Sequence, residues 1–155
     1  MLLISSSRKP SRKTRTLARQ LAKAVPHSRY ITRGKKNIDA LCSEARRLGY
    51  SRIAIIYEKH GNPSQIHFIE NHVDSWEWLP EIIQIEHSSI NEKIKKAFEE
   101  IKVLGENKDK ITKLFNTETS DETENVIEAE KNTIKVKKHK KEFVFIKYRI
   151  IKKEV

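Results

Sequence analysis

Hydrophobic and polar positions follow two different periods along the chain, and these periods predict where helices and strands lie. Apolar residues spaced three and four apart, as on one side of a packed helix, occur at 12–25 and 38–48. The apolar start at 2–4 and the β-branched run at 53–57 predict buried strands, the second covered on both faces. Runs of the same kind predict four further strands, at 65–70, 82–87, 134–136 and 143–151. The last two are expected to form an antiparallel hairpin.

The segment before that hairpin carries signals for two more helices and a loop. Ser89 and Glu92 have the spacing of a capping box, which predicts a helix that ends near Gly105. A shorter amphipathic piece at 111–115 predicts a second helix. Residues 116–125 are polar and acidic without any period, and we expect them to form an exposed loop.

The order of these elements predicts a mixed fold. At 155 residues, the chain is long enough for one well-buried core or for two small halves that share one. The first half reads strand, helix, helix, strands, and the second half repeats this order roughly, without a residue-level repeat. We therefore expect an α/β (α+β) protein in which mixed sheets pack with helices, as a single domain 1–155 with approximate halves 1–80 and 81–155.

The first predicted helix separates cations and apolar residues onto opposite sides. Pro10 disfavours helical backbone at Lys9, and Ser11 is placed to cap the first turn with its hydroxyl. At 100° per residue, one side carries Arg12, Arg15, Arg19 and Lys23, and the other carries Leu17, Ala18, Leu21 and Val25. We expect the apolar side to pack on a sheet and the cationic side to face outward.

Charge is distributed unevenly along the chain, whose formal net charge is +11. Residues 1–50 hold 13 Lys and Arg against two acids, residues 51–130 hold nine against 17, and residues 131–153 hold ten against one. A protein that binds a polyanion on one side and keeps another side free would have such a distribution. The helix N-terminus and the arginine forks suit phosphate in particular.

The candidate polyanion site is therefore the basic N-terminal region. Its predicted contacts are Arg8, Lys9, Arg12, Lys13, Arg15, Arg19, Arg33, Lys35 and Lys36. Gly34 is expected to supply the positive φ of the turn that holds the last three. The alternative interpretation is a solvated basic face on an ordinary amphipathic helix. For the lysines at 135–141, RNA contact and the protection of an edge strand remain two open interpretations.

The same N-terminal residues resemble those of the archaeal Brix-domain proteins. The resemblance rests on the serines at 5–7, Arg8-Lys9-Pro10-Ser11, the basic helix with Leu17-Ala18-Arg19, and Arg33-Gly34-Lys35. It covers about the first 60 residues, and it implies two anticodon-binding-domain-like halves related by pseudo-twofold symmetry. It also implies a role in ribosome biogenesis with ribosomal RNA or pre-rRNA, and with ribosomal or assembly proteins, as partners.

The sequence lacks the common motifs of catalytic, metal-binding and membrane-spanning proteins. It contains no P-loop, no Gly-x-Gly-x-x-Gly after a strand and no Gly-x-Ser-x-Gly elbow. Its six histidines are scattered, and the single cysteine, Cys42, is expected on the buried side of a helix. No apolar run approaches the roughly 20 residues that span a bilayer. We expect a cytoplasmic protein without a catalytic site, metal, cofactor or small-molecule substrate.

The sequence thus predicts a non-catalytic RNA-binding factor that holds RNA phosphates with its basic helix and turn. One alternative is a protein–protein scaffold whose basic face meets an acidic partner. Another is an RNA-processing enzyme, which would need acids or histidines near the basic helix.

Overall fold

The computed structural model describes residues 1–153, and the last two residues of the predicted domain, Glu154 and Val155, lie outside the described residues. The described chain forms one large mixed sheet with three helices. The helices are α1 (Arg12–Ala24), α2 (Ile38–Arg47) and α3 (Lys108–Leu114). The strands are β1 (Leu2–Ser6), β2 (Arg29–Tyr30), β3 (Arg52–Lys59), β4 (Asn62–Asn71), β5 (Trp76–Ile90), β6 (Lys102–Leu104), β7 (Asn125–Ala129), β8 (Thr133–Lys138) and β9 (Lys141–Lys152).

At the centre of the sheet, β5 from the middle of the chain pairs with β9, the last of the described strands. The strand order is β2-β1-β3-β4-β5-β9-β8-β7-β6. β1 runs parallel to β2 and β3, β6 runs parallel to β7, and the other neighbours are antiparallel. The predicted boundary between residues 80 and 81 falls inside β5, which pairs with β4 on one side and with β9 on the other. The mixed α/β class is confirmed, whereas the pseudo-twofold relation of two anticodon-binding-like halves stays a prediction.

Helices cover both faces of the first part of the sheet, so its strands are apolar on both sides. Ala54 and Ile56 of β3 join the larger core with α1, while Ile53 and Ile55 join a second core with α2. This confirms the central strand predicted at 53–57. Cys42 is fully buried on α2, as predicted, and burial raises the pKa of its thiol to about 11, so it packs as a small neutral side chain.

The helix predicted after the capping box is wrong. Ser89 lies within β5, where it pairs with Phe145, and the segment 91–101 that follows has no regular structure. Two of its backbone amides form hydrogen bonds with α1 and not with carbonyls of the same segment. The amide of Ile94 donates to the Gln20 side chain (2.6 Å), and the amide of Phe98 donates to the Lys23 carbonyl (2.8 Å). Contacts from a distant helix therefore replace the hydrogen bonds that a local helix would make.

The lysines at 135–141 do not protect a sheet edge. β8 pairs with β7 on one side and with β9 on the other, so it is an interior strand. The hairpin that β8 and β9 form is the one predicted from the sequence. The edge interpretation is therefore wrong, and the lysines at this turn need another explanation.

A buried arginine connects α3 to the first part of the sheet. Arg52 begins β3 and is 7% exposed. Its guanidinium donates to the carbonyls of Lys113 and Leu114 (3.1 Å to the latter) at the end of α3, and it lies 3.7 Å from the carboxylate of Glu70. Cations are favourable at the C-terminal end of a helix, where carbonyls lack intrahelical donors. Within residues 1–153, none of the helices is long and apolar enough to cross a membrane.

Candidate nucleic-acid interface

Helix α1 packs on the sheet with the side that the sequence predicted. Its apolar residues Leu17, Ala18 and Leu21 are at most 2% exposed and belong to the larger core. Ser11 is the N-cap, and its hydroxyl accepts a hydrogen bond from the Thr14 amide (3.3 Å). The helix is therefore fixed in rotation, which determines where its cations point.

The opposite side of α1 carries its cations at the surface. Arg12, Lys13 and Arg19 are exposed and Arg15 is half-buried. Arg19 lies over the ring of Tyr30, 5.3 Å from its centroid. Within residues 1–153, no salt bridge involves any of the six predicted contacts that precede residue 20, namely Arg8, Lys9, Arg12, Lys13, Arg15 and Arg19. These charges are free to meet an external anion.

Two turns supply the remaining predicted cations. Arg8 and Lys9 are exposed in the loop before α1, where Lys9 has a φ of +52°, in keeping with the exclusion of helix before Pro10. In the second turn Gly34 has the predicted positive φ, +58°, and Lys35 is exposed.

The ammonium of Lys36 has internal partners in that second turn. It lies 3.5 Å from the carboxylate of Glu44 and donates to the carbonyl of Thr32 (3.3 Å). Lys36 is therefore less free than Lys35 to bind an external anion.

The structure does not place Arg33 with the exposed cations. Its side chain is buried and donates to the carbonyls of Ser6 (3.0 Å) and Lys36 (2.7 Å). It also lies beside Tyr57, whose pKa is raised by burial although the guanidinium opposes that shift. Arg33 therefore holds the second turn, with Lys35, against the end of β1, and its buried guanidinium is not exposed to an external anion.

The N-terminal end of α1 is occupied by a carboxylate of the protein. Glu58 of β3 accepts hydrogen bonds from the Ser11 amide (3.0 Å) and the Thr14 hydroxyl (2.6 Å). Ser5 and Ser6 are fully buried, and their hydroxyls donate to the backbone carbonyls of Ile31 and Ser7. The expectation of phosphate at this helix end is therefore wrong, and the cationic side of α1 is the remaining candidate for an anion site.

Glu58 should make the stability of the protein depend on pH. Burial favours a higher pKa, but the hydrogen bonds from Thr14 and Ser11 outweigh it, so the pKa of Glu58 lies below its usual value. Its stabilisation is thus complete above the ordinary glutamate pKa of about 4.3 and is lost as the pH falls through the lowered pKa. We expect Glu58→Gln to cost about 1–2 kcal/mol in urea unfolding at pH 7 and less at pH 3. If Glu58→Gln lowers the free energy of unfolding equally at pH 7 and pH 3, the ionised carboxylate of Glu58 is not what stabilises the start of α1.

Sequence reasoning missed Glu58 and the lysines of 91–98, which lie beside α1. The fold brings Glu58 to the helix from 47 residues away, and no local pattern signals such a contact. Lys93, Lys95 and Lys96 lie in the segment that was wrongly predicted to be a helix. Their charge is evident from the sequence, but their position beside α1 is not. Among residues 1–153, no group of three or more His, Cys, Asp or Glu side chains could hold a metal ion.

Curated archaeal proteins resemble part of the chain, although no protein-family model matches it. A probable Brix domain-containing ribosomal biogenesis protein of Pyrococcus horikoshii is 43% identical over 79 residues, which are 51% of this chain and 35% of that protein. A protein of the same description from Pyrobaculum aerophilum is 37% identical over 84 residues, 54% of this chain and 45% of that protein. These matches span less than half the length of the curated relatives.

Solved structures resemble nearly the whole chain. The crystal structure of a probable ribosomal biogenesis protein from Aeropyrum pernix K1 matches with a TM-score of 0.78 at 19% identity, over 96% of this chain and 94% of that one. Mil, an archaeal Imp4-like protein, matches with a TM-score of 0.77 at 21% identity, over 99% and 100%. At these identities the likeness establishes the fold. The sequence matches confirm the resemblance seen in the N-terminal residues: over about half of its length, the chain is similar to archaeal proteins described as probable Brix domain-containing ribosomal biogenesis proteins.

Proposed function

We propose that the protein is a non-catalytic RNA-binding factor of ribosome biogenesis that holds phosphates of ribosomal RNA or its precursor. The proposed contacts are the exposed cations of α1 and the two turns, without the buried Arg33. One observation carries the proposal: six cations, on α1 and in the loop before it, have no salt bridge within residues 1–153, in a chain that has 21 acidic residues. The names of the archaeal relatives support ribosome biogenesis as the context.

The chemistry of this surface favours contacts to the RNA backbone. Guanidinium groups match phosphate oxygens with two parallel hydrogen bonds, and α1 presents three of them on one side. Aromatic side chains, on which bases could stack, are rare there, and Tyr30 already lies under Arg19. We therefore propose that the protein recognises the shape and charge of folded RNA, as a single cytoplasmic domain of two related halves.

The acidic part of the chain has a separate place in this proposal. The loop predicted at 116–125 is irregular through residue 124, where its acids Glu118, Asp121, Glu122 and Glu124 are exposed, and Asn125 already begins β7. Such a surface would repel RNA and attract cationic proteins. We propose that Glu118, Asp121 and Glu122 face away from the RNA and can meet basic ribosomal or assembly proteins, whereas Glu124 lies 2.6 Å from His139 at the β8–β9 turn.

A salt titration tests the proposal directly. Fluorescence anisotropy of a labelled ribosomal RNA fragment should give a log–log salt slope of about −4 to −5 if six phosphates are neutralised, at 0.7–0.9 per contact. A slope near zero would contradict backbone binding. If partners are captured from cell extract equally well after ribonuclease digestion, the basic face binds an acidic protein instead of RNA.

A further inference from the structure

The irregular segment 91–98 extends the cationic surface beyond α1. Ile94 and Phe98 point into the larger core, whereas Lys93, Lys95 and Lys96 are exposed. Two of its backbone amides donate hydrogen bonds to α1, one to the Gln20 side chain and one to the Lys23 carbonyl. The ammonium of Lys23 also donates to the Lys95 carbonyl (3.3 Å). The lysines of this segment are therefore presented beside α1 by a backbone that is anchored at several points.

The other side of this segment faces the turn between β8 and β9. A cavity of about 620 Å³ between them is lined by six lysines and a single glutamate. That glutamate, Glu92, pairs with Lys141 (3.0 Å), and the nearby His139 pairs with Glu124 (2.6 Å). Within residues 1–153, the other five lysines of this cavity form no salt bridge: Lys93, Lys95, Lys96, Lys138 and Lys140.

Lys93 connects this cluster to the cations of α1. It lines a second cavity of about 620 Å³ together with Arg12 and Lys13. It also lines a cavity of about 420 Å³ together with Arg19 and Lys23. Cations therefore extend from α1, across 93–96, to the β8–β9 turn, and the acids among them are Glu86 in the cavity beside Arg12 and Glu92 in the cavity beside the turn. The run of cations along this segment ends at Glu99 and Glu100, which line a separate cavity together with Glu118.

We propose that this continuous surface, the cationic band, is one RNA-binding site, in which residues 93–96 and the β8–β9 turn contact phosphates together with α1. The inference rests on the proposed function and extends it. Because the cationic band runs both along α1 and away from it across the sheet, it fits two backbone segments of a folded RNA better than one extended strand. It also assigns a role to the lysines at 138–141. Protection of a sheet edge cannot be that role, because β8 is an interior strand.

Two double variants test the cationic band against a matched control. Lys93→Gln with Lys96→Gln, and separately Lys138→Gln with Lys140→Gln, should each lower the magnitude of the salt slope by roughly 1.4–1.8. Each should also weaken binding to a structured ribosomal RNA fragment on the order of tens-fold at 0.1 M salt. The control is Lys110→Gln with Lys131→Gln, which removes the same charge from α3 and from the turn between β7 and β8, and should change the slope little.

The outcomes separate this inference from the proposed function. Thermal unfolding should be unchanged in all three variants, because the substituted side chains are exposed. If both test variants bind like the control while variants of α1 lose binding, the cationic band is wrong and the proposed function stands. If variants of α1 also bind like the wild type, the proposed function itself fails.

Discussion

Arg12→Glu with Arg15→Glu is expected to weaken RNA binding at least 100-fold at about 0.1 M salt. The double variant removes two phosphate contacts and places two carboxylates where the RNA backbone would lie. Neither arginine has a salt-bridge partner within residues 1–153, so the change breaks no internal ion pair. The salt slope should lose a magnitude of roughly 1.4–1.8 or more. Anisotropy titrations at several salt concentrations measure both quantities.

A control with the same change in net charge isolates the position of the arginines. Lys110→Glu with Lys131→Glu alters the net charge equally on a remote surface. If this control weakens binding as much as the α1 variant does, overall charge and not α1 determines affinity. Circular dichroism of both variants should match the wild type, since the apolar side of α1 is untouched.

Arg52→Met should destabilise the fold by about 2–4 kcal/mol, the largest effect on stability that we expect from one polar side chain. The substitution leaves two carbonyls at the end of α3 without their donor and removes the cation beside Glu70. For a chain of this length, the midpoint of thermal unfolding should fall by about 5–12 °C. Urea unfolding gives the free energy, and calorimetry gives the midpoint.

Arg47→Met is the matched control for that substitution. Arg47 is exposed and lies 3.8 Å from Glu44, an arrangement that contributes at most about 0.5 kcal/mol. If Arg52→Met unfolds at the same temperature as the wild type, the contact of Arg52 with the end of α3 does not stabilise the fold. RNA binding by Arg52→Met should retain the wild-type salt slope below the melting range, because Arg52 contacts Glu70 and the end of α3, which are not part of the cationic band.

Local patterns were sufficient for the N-terminal part of the interface. The rotation of α1 follows from the spacing of Leu17 and Leu21 and from the Ser11 cap, which lie within ten residues of one another. The roles of Arg33 and Glu58 could not be predicted in this way. The partner of Arg33 on β1 is 27 residues distant, and that of Glu58 at the start of α1 is 47 residues distant. An arginine in a basic turn looks the same in sequence whether it is buried or exposed.

The helix that was wrongly predicted after β5 also reflects contacts between residues that are distant in sequence. A capping box and apolar spacing describe what a segment would do by itself. Here the amide of Ile94 binds the side chain of Gln20, 74 residues away, and β5 continues through the expected cap. Because an anchored irregular segment has no period of its own, its lysines could be assigned a function only once the fold was known.

The lengths of the strands affect how readily two molecules of this protein can associate through the edges of their sheets. The longest strands, β5 with 15 residues and β9 with 12, lie at the centre of the described sheet, whereas its outermost strands have two and three. An incoming chain that extends a sheet must bond to the free backbone groups of an outer strand. Such short outer strands offer few of these groups, so a wide sheet can remain dispersed at high concentration.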